Sequence, residues 1–412
     1  MTEEQRRKVV VTGIGPVTPV GIGRETFWDA LVSGRSGLGE VTLFDASEFP
    51  VRIGGEVTDF DPERWMDRKA ARRTDRVVQL AVAAARLAWE DAGTPQVDPQ
   101  RAAVVVSTGV GGLRYMEDQI RILATRGPGR VSAFTVPAMM PNAATGQIAM
   151  ELGFTGPNAC ITTACAAGAH GIGEAYRYIK HGMADLALAG GTEAGITPLS
   201  LAAFAQMGAL SRNPDPAQAS RPFDADRDGF VMAEAACVLV LEEEERARAR
   251  GATTYAEVAG YGTSADAFHI TQPEPQGSGA VIAIQMALTD AGEDAEAVDY
   301  INAHGTSTPL NDAAETRAIK KALGDHAHRV AISSTKSMTG HMVGAAGAAE
   351  GAVAALTISE AVIPPTTNYE TPDPECDLDY VPNEARKGEV TLALSNAFGF
   401  GGQNAVLAFR RA

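Results

Sequence analysis

Apolar and polar positions follow two different periods along the chain, and the two patterns alternate from end to end. Residues 9–15 (VVVTGIG) form an apolar run that ends in Gly-x-Gly, which is typical of a buried strand. Residues 80–93 (LAVAAARLAWEDAG) then carry apolar side chains at helical spacing. Residues 104–109 (VVVSTG) predict the next strand, which ends in a loop of small residues. This alternation predicts an α/β architecture.

The same order of patterns occurs twice, which predicts an internal duplication. The matching pairs are the Gly-x-Gly runs 9–15 and 257–262, the helices 80–93 and 282–292, the strand ends 104–109 and 300–305, the strands before small-residue helices 161–165 and 331–335, and the strands 186–191 and 392–396. We therefore predict two βαβ-type halves, 1–254 and 255–412, with extra chain in the first half at about 38–79. Equivalent loops of the two halves would meet, so a site between them would draw residues from both.

Composition narrows the class of protein. With 35 basic and 51 acidic residues, the formal net charge is −16. This charge repels phosphate groups, so it argues against binding to nucleic acid or to an anionic membrane. The four cysteines, Cys160, Cys165, Cys237 and Cys376, form neither a disulfide scaffold nor a zinc-binding spacing. We therefore predict no metal and a reducing compartment.

Two uncharged stretches, 131–150 and 154–173, are long enough to be considered as membrane spans. Both contain Pro together with Asn, and neither has the composition of a spanning helix. The apolar run after Arg6, at 9–13, is too short for a signal peptide. These features predict a soluble, cytoplasmic protein.

Cys165 ends the predicted strand 161–165 and precedes a helix of small residues. A cysteine at a helix N-terminus faces unpaired N–H groups and the positive end of the helix dipole, which favours the thiolate. A buried structural cysteine is the alternative. The position of Cys165 in the duplication, opposite two histidine loops, favours a nucleophile.

Two of the seven histidines, His304 and His341, lie on predicted strand-to-helix connections of the second half. His304 belongs to the hydroxyl-rich loop 302–309 (NAHGTSTP), where a capping histidine is the alternative. His341 precedes a helix of Gly and Ala that carries the carboxylate of Glu350. Burying Glu350 without a partner would be unfavourable, and Lys336 is the candidate partner.

Two glycine-rich runs lack the features of nucleotide-binding loops. Residues 397–402 (AFGFGG) follow a strand but have no Lys-Ser/Thr and no helix after them, which excludes a P-loop. Residues 109–112 (GVGG) lack the glycine spacing and the acidic partner of a dinucleotide-binding site. For 397–402 a plain β-turn is favoured, with a movable aromatic gate or a backbone N–H donor as alternatives.

Together these residues resemble the elongating β-ketoacyl-acyl-carrier-protein synthases of the thiolase-like superfamily, and within them the type II synthases of fatty-acid synthesis. The resemblance extends over nearly the whole chain. Four motifs carry it: 163–166 (TACA), 227–231 (RDGFV), 302–309 (NAHGTSTP) and 333–341 (SSTKSMTGH). It implies a five-layered αβαβα fold built from the two duplicated halves, and a homodimer.

The resemblance also implies a decarboxylative Claisen condensation. Cys165 would carry the acyl chain, and His304 and His341 would assist the decarboxylation of malonyl-acyl-carrier protein, supported by Lys336. Burial would keep both imidazoles neutral, so that their N–H groups could stabilise the negative charge on the thioester oxygen.

The surroundings of the nucleophile follow from the same resemblance. The backbone N–H groups of the nucleophile and of Phe400 would form an oxyanion hole, and Phe400, next to Gly399, would gate an acyl pocket lined by Val110. Thr306 and Thr308 would bind the phosphopantetheine arm. This arm arrives on the acyl-carrier protein, so the chain itself would bind no cofactor.

Acyl-carrier proteins are acidic, and a local basic cluster would offset the negative charge of the chain. Arg68, Arg72 and Arg76 repeat every four residues and would share one helix face, although a solvated helix is the alternative. The predicted docking residues are Arg64, Arg68, Lys69, Arg72, Arg73, Arg126 and Arg130. Gly208 departs from the family, which often has an arginine there.

Two other functions remain open. One is the catalytic subunit of a type II polyketide ketosynthase, and the other is a non-catalytic scaffold that binds carrier proteins. A degradative thiolase is excluded, because it needs a second catalytic cysteine in a C-terminal Cys-x-Gly, whereas the last cysteine here is Cys376 in Glu-Cys-Asp.

Overall fold

The computed structural model describes residues 7–412, so Arg6 lies outside the described residues. Strands and helices alternate along the chain as the sequence predicts. The strands are β1 Val9–Thr18, β2 Gly21–Ile22, β3 Gly39–Glu40, β4 Ile53–Gly54, β5 Ala102–Ser107, β6 Asn158–Ala159, β7 Leu186–Glu193, β8 Ala235–Glu243, β9 Ala256–Ala265, β10 Tyr300–Asn302, β11 Ala331–Ser333, β12 Val362–Ile363, β13 Arg386–Lys387, β14 Leu392–Gly399 and β15 Gln403–Arg410. The helices are α1 Arg24–Val32, α2 Arg68–Ala71, α3 Arg76–Asp91, α4 Leu113–Arg126, α5 Thr135–Met139, α6 Ala143–Leu152, α7 Ala167–Lys180, α8 Pro198–Gln206, α9 Glu244–Ala249, α10 Ser278–Ala291, α11 Pro309–Leu323, α12 Lys336–Thr339 and α13 Ala346–Glu360.

The two halves of the main sheet have the same strand order. In the first half the order is β1-β8-β7-β5-β6, and in the second it is β9-β15-β14-β10-β11. If the five strands of each half are numbered along the chain, both halves have the spatial order 1-5-4-2-3. The halves meet where β1 and β9 pair antiparallel. The strand order confirms the predicted duplication.

The elements pack in five layers: helix, sheet, helix, sheet, helix. α3 and α6 cover the outer face of the first half of the sheet, and α10 and α11 cover that of the second. α7 and α13 lie between the two halves and share one apolar core with both. This is the predicted αβαβα arrangement. Its middle layer consists of the helices that follow the cysteine turn and the His341 loop.

The Gly-x-Gly runs lie inside β1 and β9 and not at their ends, so the predicted strand ends are wrong. A Cβ at Gly15 would come within 2.0 Å of the carbonyl oxygen of Ala84 on α3. A Cβ at Gly262 would come equally close to the carbonyl oxygen of Ala283 on α10. Each half therefore needs glycine at this position, because the strand and its covering helix are in backbone contact.

The strand predicted at 161–165 is also wrong. β6 ends at Ala159, and the chain reaches Cys165 through an irregular segment and a 3-10 turn at Ala164–Ala166. The N–H of Ile161 donates to the Ser107 side-chain hydroxyl at 3.2 Å instead of to a backbone carbonyl group of a neighbouring strand. A short apolar run does not by itself distinguish a strand from buried irregular chain.

The extra chain of the first half contributes β3, β4 and α2. Val41 and Ile53 from this segment share an apolar cluster with Leu210 and Phe230. The insertion therefore packs against the segment that follows α8. Among the described residues, every helix is too short or too polar to cross a membrane.

Candidate active site

Cys165 lies in a tight turn at the start of α7. Ala164, within the 3-10 turn Ala164–Ala166, has a positive φ of 50°. This backbone region is uncommon for a residue with a Cβ, so neighbouring contacts must hold the turn in place. Cys165 is 8% exposed and stands just before the first N–H groups of α7. This is the helix N-terminal position expected from the sequence.

His341 and His304 converge on Cys165 from the second half. Nε2 of His341 lies 3.0 Å from Sγ of Cys165. The two imidazole centroids are 5.5 Å apart, and the rings are nearly perpendicular. His304 follows β10, and His341 follows α12. The structure therefore brings together three side chains that are far apart in the sequence.

Lys336 and Glu350 form the buried ion pair that the sequence suggests. Nζ of Lys336 lies 2.5 Å from Oε1 of Glu350, and both side chains are 1% exposed. Nζ also donates to the backbone oxygen of His304 and faces its Nδ1 at 3.5 Å. An ammonium group opposite Nδ1 makes that nitrogen the acceptor, so the ring hydrogen of His304 is on Nε2.

Burial determines the protonation states of the three groups. Burial lowers the pKa of His304 well below 6.5, and the nearby Lys336 and His341 lower it further. Burial and Lys336 lower the pKa of His341 in the same way. Both imidazoles are therefore neutral near pH 7.

The cysteine differs from the expectation. Burial raises the pKa of the Cys165 thiol to about 11, although Lys336 and the backbone N–H groups of Phe400 and Cys165 act in the opposite direction. The protein therefore holds a protonated thiol at neutral pH, and not the thiolate that the helix N-terminus alone would favour. Nucleophilic attack requires a base, and His341 is in contact with the sulfur.

A cavity of about 390 Å³ leads to these side chains and is lined by residues of both halves, including Cys165, His304 and His341. Thr306 and Thr308 line it, and their hydroxyl oxygens are 2.9 Å apart. Phe400 also lines it, in the hairpin turn between β14 and β15. The glycine-rich run is therefore a β-turn that presents an aromatic side chain to the cavity.

Gly399 allows this hairpin to approach the nucleophile turn. A Cβ at this position would lie 2.6 Å from the carbonyl oxygen of Thr163 and 3.3 Å from the nitrogen of Cys165. The close approach brings the N–H of Phe400 to the cysteine sulfur, together with the N–H of Cys165 itself. Two N–H groups directed at one point are suited to bind a carbonyl oxygen that becomes negatively charged.

Val110 is not among the residues that line this cavity. It is 50% exposed, on the loop after β5. The expectation that Val110 lines the acyl pocket is therefore not met within this chain. Other large apolar residues on and between α4, α5 and α6 are exposed as well: Ile120, Leu123, Phe134, Val136, Met139, Met140 and Met150.

The predicted docking residues are exposed on two neighbouring segments. The Arg73 guanidinium lies 4.3 Å from the centre of the Phe134 ring, which brings the segment around α2 next to the one after α4. The exposed basic residues are Arg64, Arg68, Lys69, Arg72, Arg73, Arg126 and Arg130. We call this set of residues the α2/α4 cluster.

Arg76 does not belong to this cluster, so the prediction of one helix face with Arg68 and Arg72 is wrong. α2 ends at Ala71, and Asp75 caps a new helix, α3, through the N–H of Val77. The Arg76 guanidinium lies 2.6 Å from the buried carboxylate of Glu234. The break between the helices turns this arginine inward.

Two domains described for known proteins match the chain, and both belong to one family. The domain described as Beta-ketoacyl synthase, N-terminal domain, matches residues 6–247, and Beta-ketoacyl synthase, C-terminal domain, matches residues 255–370. The first match includes the cysteine, and the second includes both histidines. The chain belongs to the beta-ketoacyl synthase family.

Whole-chain comparisons agree with this membership. The enzyme is 52% identical to 3-oxoacyl-[acyl-carrier-protein] synthase 2 of Synechocystis sp., with 100% of both chains covered. It is 49% identical to the protein of the same name from Coxiella burnetii, with 99% of both covered. A solved Beta-ketoacyl synthase from Burkholderia phymatum superimposes with a TM-score of 0.90 at 37% identity, over 98% of this chain and 100% of that one.

A second solved structure is a type II PKS acyl-carrier protein in complex with its ketosynthase bound to the hexaketide. It matches with a TM-score of 0.92 at 36% identity, over 99% of this chain and 100% of that one. These likenesses establish a thiolase-like ketosynthase fold. The enzyme is thus an acyltransferase of the condensing type.

Two buried carboxylates of the enzyme have no signature in the sequence. Glu315 on α11 accepts from the N–H groups of His304 and Gly305 at 2.8 and 2.7 Å. Glu193 at the end of β7 accepts from the N–H of Gly109 at 2.7 Å. Burial raises the pKa of both carboxyl groups to about 7. Each one holds the loop after the second main strand of a half.

Proposed function

We propose that the enzyme is a 3-oxoacyl-acyl-carrier-protein synthase of fatty-acid elongation. It condenses an acyl thioester with malonyl-acyl-carrier protein and yields 3-oxoacyl-acyl-carrier protein and CO2. The meeting of Cys165, His304 and His341 in one cavity, with Nε2 of His341 3.0 Å from the sulfur, carries the proposal. The names of the curated relatives supply the substrate class.

In the first half-reaction the sulfur of Cys165 attacks the carbonyl carbon of the acyl thioester. Nε2 of His341 takes the thiol proton across the 3.0 Å contact. The N–H groups of Cys165 and Phe400 receive the carbonyl oxygen. The carrier thiolate then leaves and takes the proton from His341, so that the acyl chain remains on Cys165 as a thioester.

In the second half-reaction malonyl-acyl-carrier protein occupies the same cavity. The Nε2–H group of His304 donates to its thioester oxygen, and Lys336 supports this by facing Nδ1. His341 donates to the same oxygen in its Nε2–H tautomer, so its ring hydrogen must move from Nδ1 to Nε2 after the first half-reaction. The bond to the carboxylate breaks, CO2 leaves, and the electron pair forms an enolate. The enolate carbon attacks the acyl group on Cys165, and the released Cys165 thiolate takes a proton from solvent water, so that each condensation consumes one proton.

The phosphopantetheine arm belongs to the carrier protein, and the enzyme needs no bound cofactor for these steps. The hydroxyl groups of Thr306 and Thr308 line the cavity and are suited to hydrogen-bond the amide groups of the arm. Gly208 also lines the cavity. It supplies no charge there, so docking relies on the α2/α4 cluster.

The α2/α4 cluster provides cations for an acidic carrier protein. Arg64 and Arg68 face Asp61 and Glu63 at 4.0 and 3.5 Å. Within residues 7–412 the other members of the cluster have no carboxylate at ion-pair distance: Lys69, Arg72, Arg73, Arg126 and Arg130. Complementary charge of this kind speeds the encounter of two proteins and orients them.

Mass spectrometry after mixing the enzyme with acyl-acyl-carrier protein tests the nucleophile. The wild type and the matched control Cys160→Ala should gain one acyl group on Cys165, whereas Cys165→Ala should gain none and lose condensation. An adduct on Cys165→Ala would contradict the assignment. No adduct on the wild type would favour a non-catalytic scaffold.

Charge reversal tests the docking surface. The double variant Arg72→Glu/Arg73→Glu should raise KM for acyl-acyl-carrier protein about tenfold or more. The rate of Cys165 acylation by acyl-coenzyme A, which has no carrier protein, should stay within about twofold of the wild type. Lys387→Glu, on an exposed position of β13, is the control and should leave both unchanged. An unchanged KM in the double variant would place the carrier protein elsewhere.

The fatty-acid assignment is favoured over a polyketide one. The relatives named 3-oxoacyl-[acyl-carrier-protein] synthase 2 share 52% and 49% identity with the enzyme. The polyketide ketosynthase in complex with its carrier protein shares 36%. With malonyl-acyl-carrier protein in excess, product analysis should show a single 3-oxoacyl extension. Repeated extension to poly-3-oxo chains would favour the polyketide function.

A homodimer in the cytoplasm is part of the proposal. The exposed apolar residues around Val110 and Met139, together with β6 at the edge of the sheet, support a face that a second copy covers. Val110 would then meet an acyl chain at the contact between subunits. The four free cysteines support a reducing compartment. Light scattering should give twice the chain mass, and a monomer would contradict the dimer.

The chain organisation into halves 1–254 and 255–412 is likewise proposed. α9 ends at Ala249 and β9 begins at Ala256, and the repeated strand order supports a division between them.

A further inference from the structure

The motif 227–231 has no part in the steps described above, yet it contacts the site at several points. The ring of Phe230 stands edge-on to His341, with centroids 5.1 Å apart. The N–H of Gly229 donates to the carbonyl oxygen of Ser307 at 3.0 Å. The motif belongs to the first half of the chain but holds the hydroxyl-rich loop of the second.

Arg227 makes the largest set of these contacts, and its side chain is 4% exposed. Nε donates to the carbonyl oxygen of Thr308 and Nη2 to that of Pro309, both at 3.3 Å. Nη1 donates to the carbonyl oxygen of Asp224 at 2.7 Å and to the carboxylate of Asp373 at 2.5 Å. All three guanidinium nitrogens therefore have partners, and two of them hold successive carbonyl groups of the loop.

Asp312 links Arg227 to the other threonine of the loop. Its Oδ2 lies 3.6 Å from Nε of Arg227 and accepts from the N–H of Phe223 at 2.8 Å. Burial raises the pKa of Asp312, whereas Arg227 and the N–H of Thr306 favour its charged form. Arg227 thus holds Thr308 directly and Thr306 through Asp312.

We propose that Arg227 is the positioning residue of the arm-binding loop. By fixing two successive carbonyl groups it directs the hydroxyl groups of Thr306 and Thr308 into the cavity, and it thereby sets the affinity for pantetheine thioesters and not the reactivity of Cys165. The planar guanidinium holds two acceptors at a fixed angle, which a single ammonium group does not. The inference rests on the proposed role of the two threonines in binding the arm.

Arg227→Lys is the first test, because it keeps the positive charge that the surrounding carboxylates need and removes the planar fork. KM for acyl- and malonyl-acyl-carrier protein should rise about tenfold, with kcat within about twofold of the wild type. Acylation of Cys165 by p-nitrophenyl hexanoate, an activated ester without the arm, should change by less than about twofold.

Arg317→Lys is the matched control. Arg317 also joins a carbonyl oxygen, that of Pro275 at 2.9 Å, to a carboxylate, that of Glu375 at 3.0 Å, but it touches no residue of the loop through these bonds. Its kinetic constants should equal those of the wild type. Asp373→Asn keeps Arg227 and weakens its outer anchor, and it should raise KM in the same direction by about threefold.

An unchanged KM in Arg227→Lys would overturn the inference. If that variant does not fold, an unchanged KM in Asp373→Asn would overturn it instead. An equal loss of the ester reaction would overturn it too, because that result assigns Arg227 to the fold alone. Thr306→Val separates this inference from the proposed function. If it leaves KM unchanged, the arm-binding role of the loop is wrong; if it raises KM and Arg227→Lys does not, only the role of Arg227 fails.

Discussion

At the scale of the residue, burial changes what each reacting group does. A cysteine at a helix N-terminus is expected to be a thiolate, but desolvation outweighs the N–H groups and Lys336 and raises the pKa of Cys165 to about 11. The thiol therefore reacts only when a base removes its proton. The same burial lowers the pKa of His341, which keeps the imidazole neutral but makes it a weaker base, so the proton must move as the sulfur attacks the thioester.

Replacing the two histidines should affect different steps of the reaction, because of the two only His341 contacts the sulfur. His304→Ala should slow CO2 release from malonyl-acyl-carrier protein by about two to three orders of magnitude, the effect of losing one oxyanion donor, while acylation of Cys165 stays nearly unchanged. His341→Ala should slow both steps. Single-turnover measurements of CO2 release and of the acyl adduct separate the two. Unchanged CO2 release in either variant would remove that histidine from decarboxylation.

Lys336 and Glu350 should be needed as a pair. Lys336→Met leaves the buried Glu350 carboxylate without its partner and should lower the free energy of unfolding by about 3–5 kcal/mol. Lys336→Met/Glu350→Gln removes both charges and should be more stable than the single variant. Urea unfolding measures both values. A single variant as stable as the wild type would show that Glu350 is neutral in the folded enzyme.

At the scale of the element, α7 and α13 bring the nucleophile turn and the His341 loop together because their first turns have almost no side-chain bulk. A Cβ at Gly168 would lie 2.8 Å from the nitrogen of Ala348. A Cβ at Gly347 would lie 2.8 Å from the nitrogen of Ala169. The Gly and Ala content of these helices therefore sets the distance between the two halves of the site.

Gly168→Ala should separate the two helices and lower the free energy of unfolding by about 1–3 kcal/mol, with a loss of condensation activity. Gly146→Ala is the matched control, since this helical glycine has open space around its Cβ position. It should keep activity and leave stability unchanged or raise it by about 0.5–1 kcal/mol. Equal stability of both variants, measured by thermal unfolding, would contradict the close-packing argument.

At the scale of the whole molecule, the two duplicated halves supply different parts of the site. Both halves have the same strand order. Each also has a buried carboxylate beneath the loop after its second main strand, although Glu193 ends a strand and Glu315 lies on a helix. The first half supplies the cysteine and the second supplies both histidines. Neither half alone contains the constellation, so the chemistry depends on their contact.

The buried carboxylates should make stability depend on pH. The pKa of Glu193 rises from 4.5 to about 7 in the folded enzyme. Between these values the folded enzyme keeps a proton that the unfolded chain has released, so this group reduces stability as the pH rises. Glu193→Gln removes this effect. The difference in free energy of unfolding between Glu193→Gln and the wild type should therefore shift in favour of the variant as the pH rises from 4.5 to 7, by at most about 3 kcal/mol.

Urea unfolding at several pH values between 4.5 and 8 checks this prediction. Glu25→Gln, at a side chain that is 85% exposed, is the control for a change from Glu to Gln outside the core. A difference between Glu193→Gln and the wild type that is constant with pH would contradict the raised pKa.

The sequence by itself determined the α/β alternation, the duplication and the candidate nucleophile and histidines. Each of these is a local or repeated pattern: an apolar period, a cysteine before a small-residue helix, a hydroxyl-rich loop after a strand. Such patterns survive in the linear order of residues because they depend on neighbours in the chain. The resemblance of four motifs to a known family then indicated which reaction these residues carry out.

Tertiary structure alone decided the protonation of Cys165, the inward turn of Arg76 and the roles of Glu193 and Glu315. All four depend on burial or on partners from distant segments, such as Glu234 for Arg76 and Gly109 for Glu193. The irregular path at 161–165 belongs here as well. Desolvation and hydrogen bonding sum over everything that surrounds a group in space, and no spacing along the chain contains that sum.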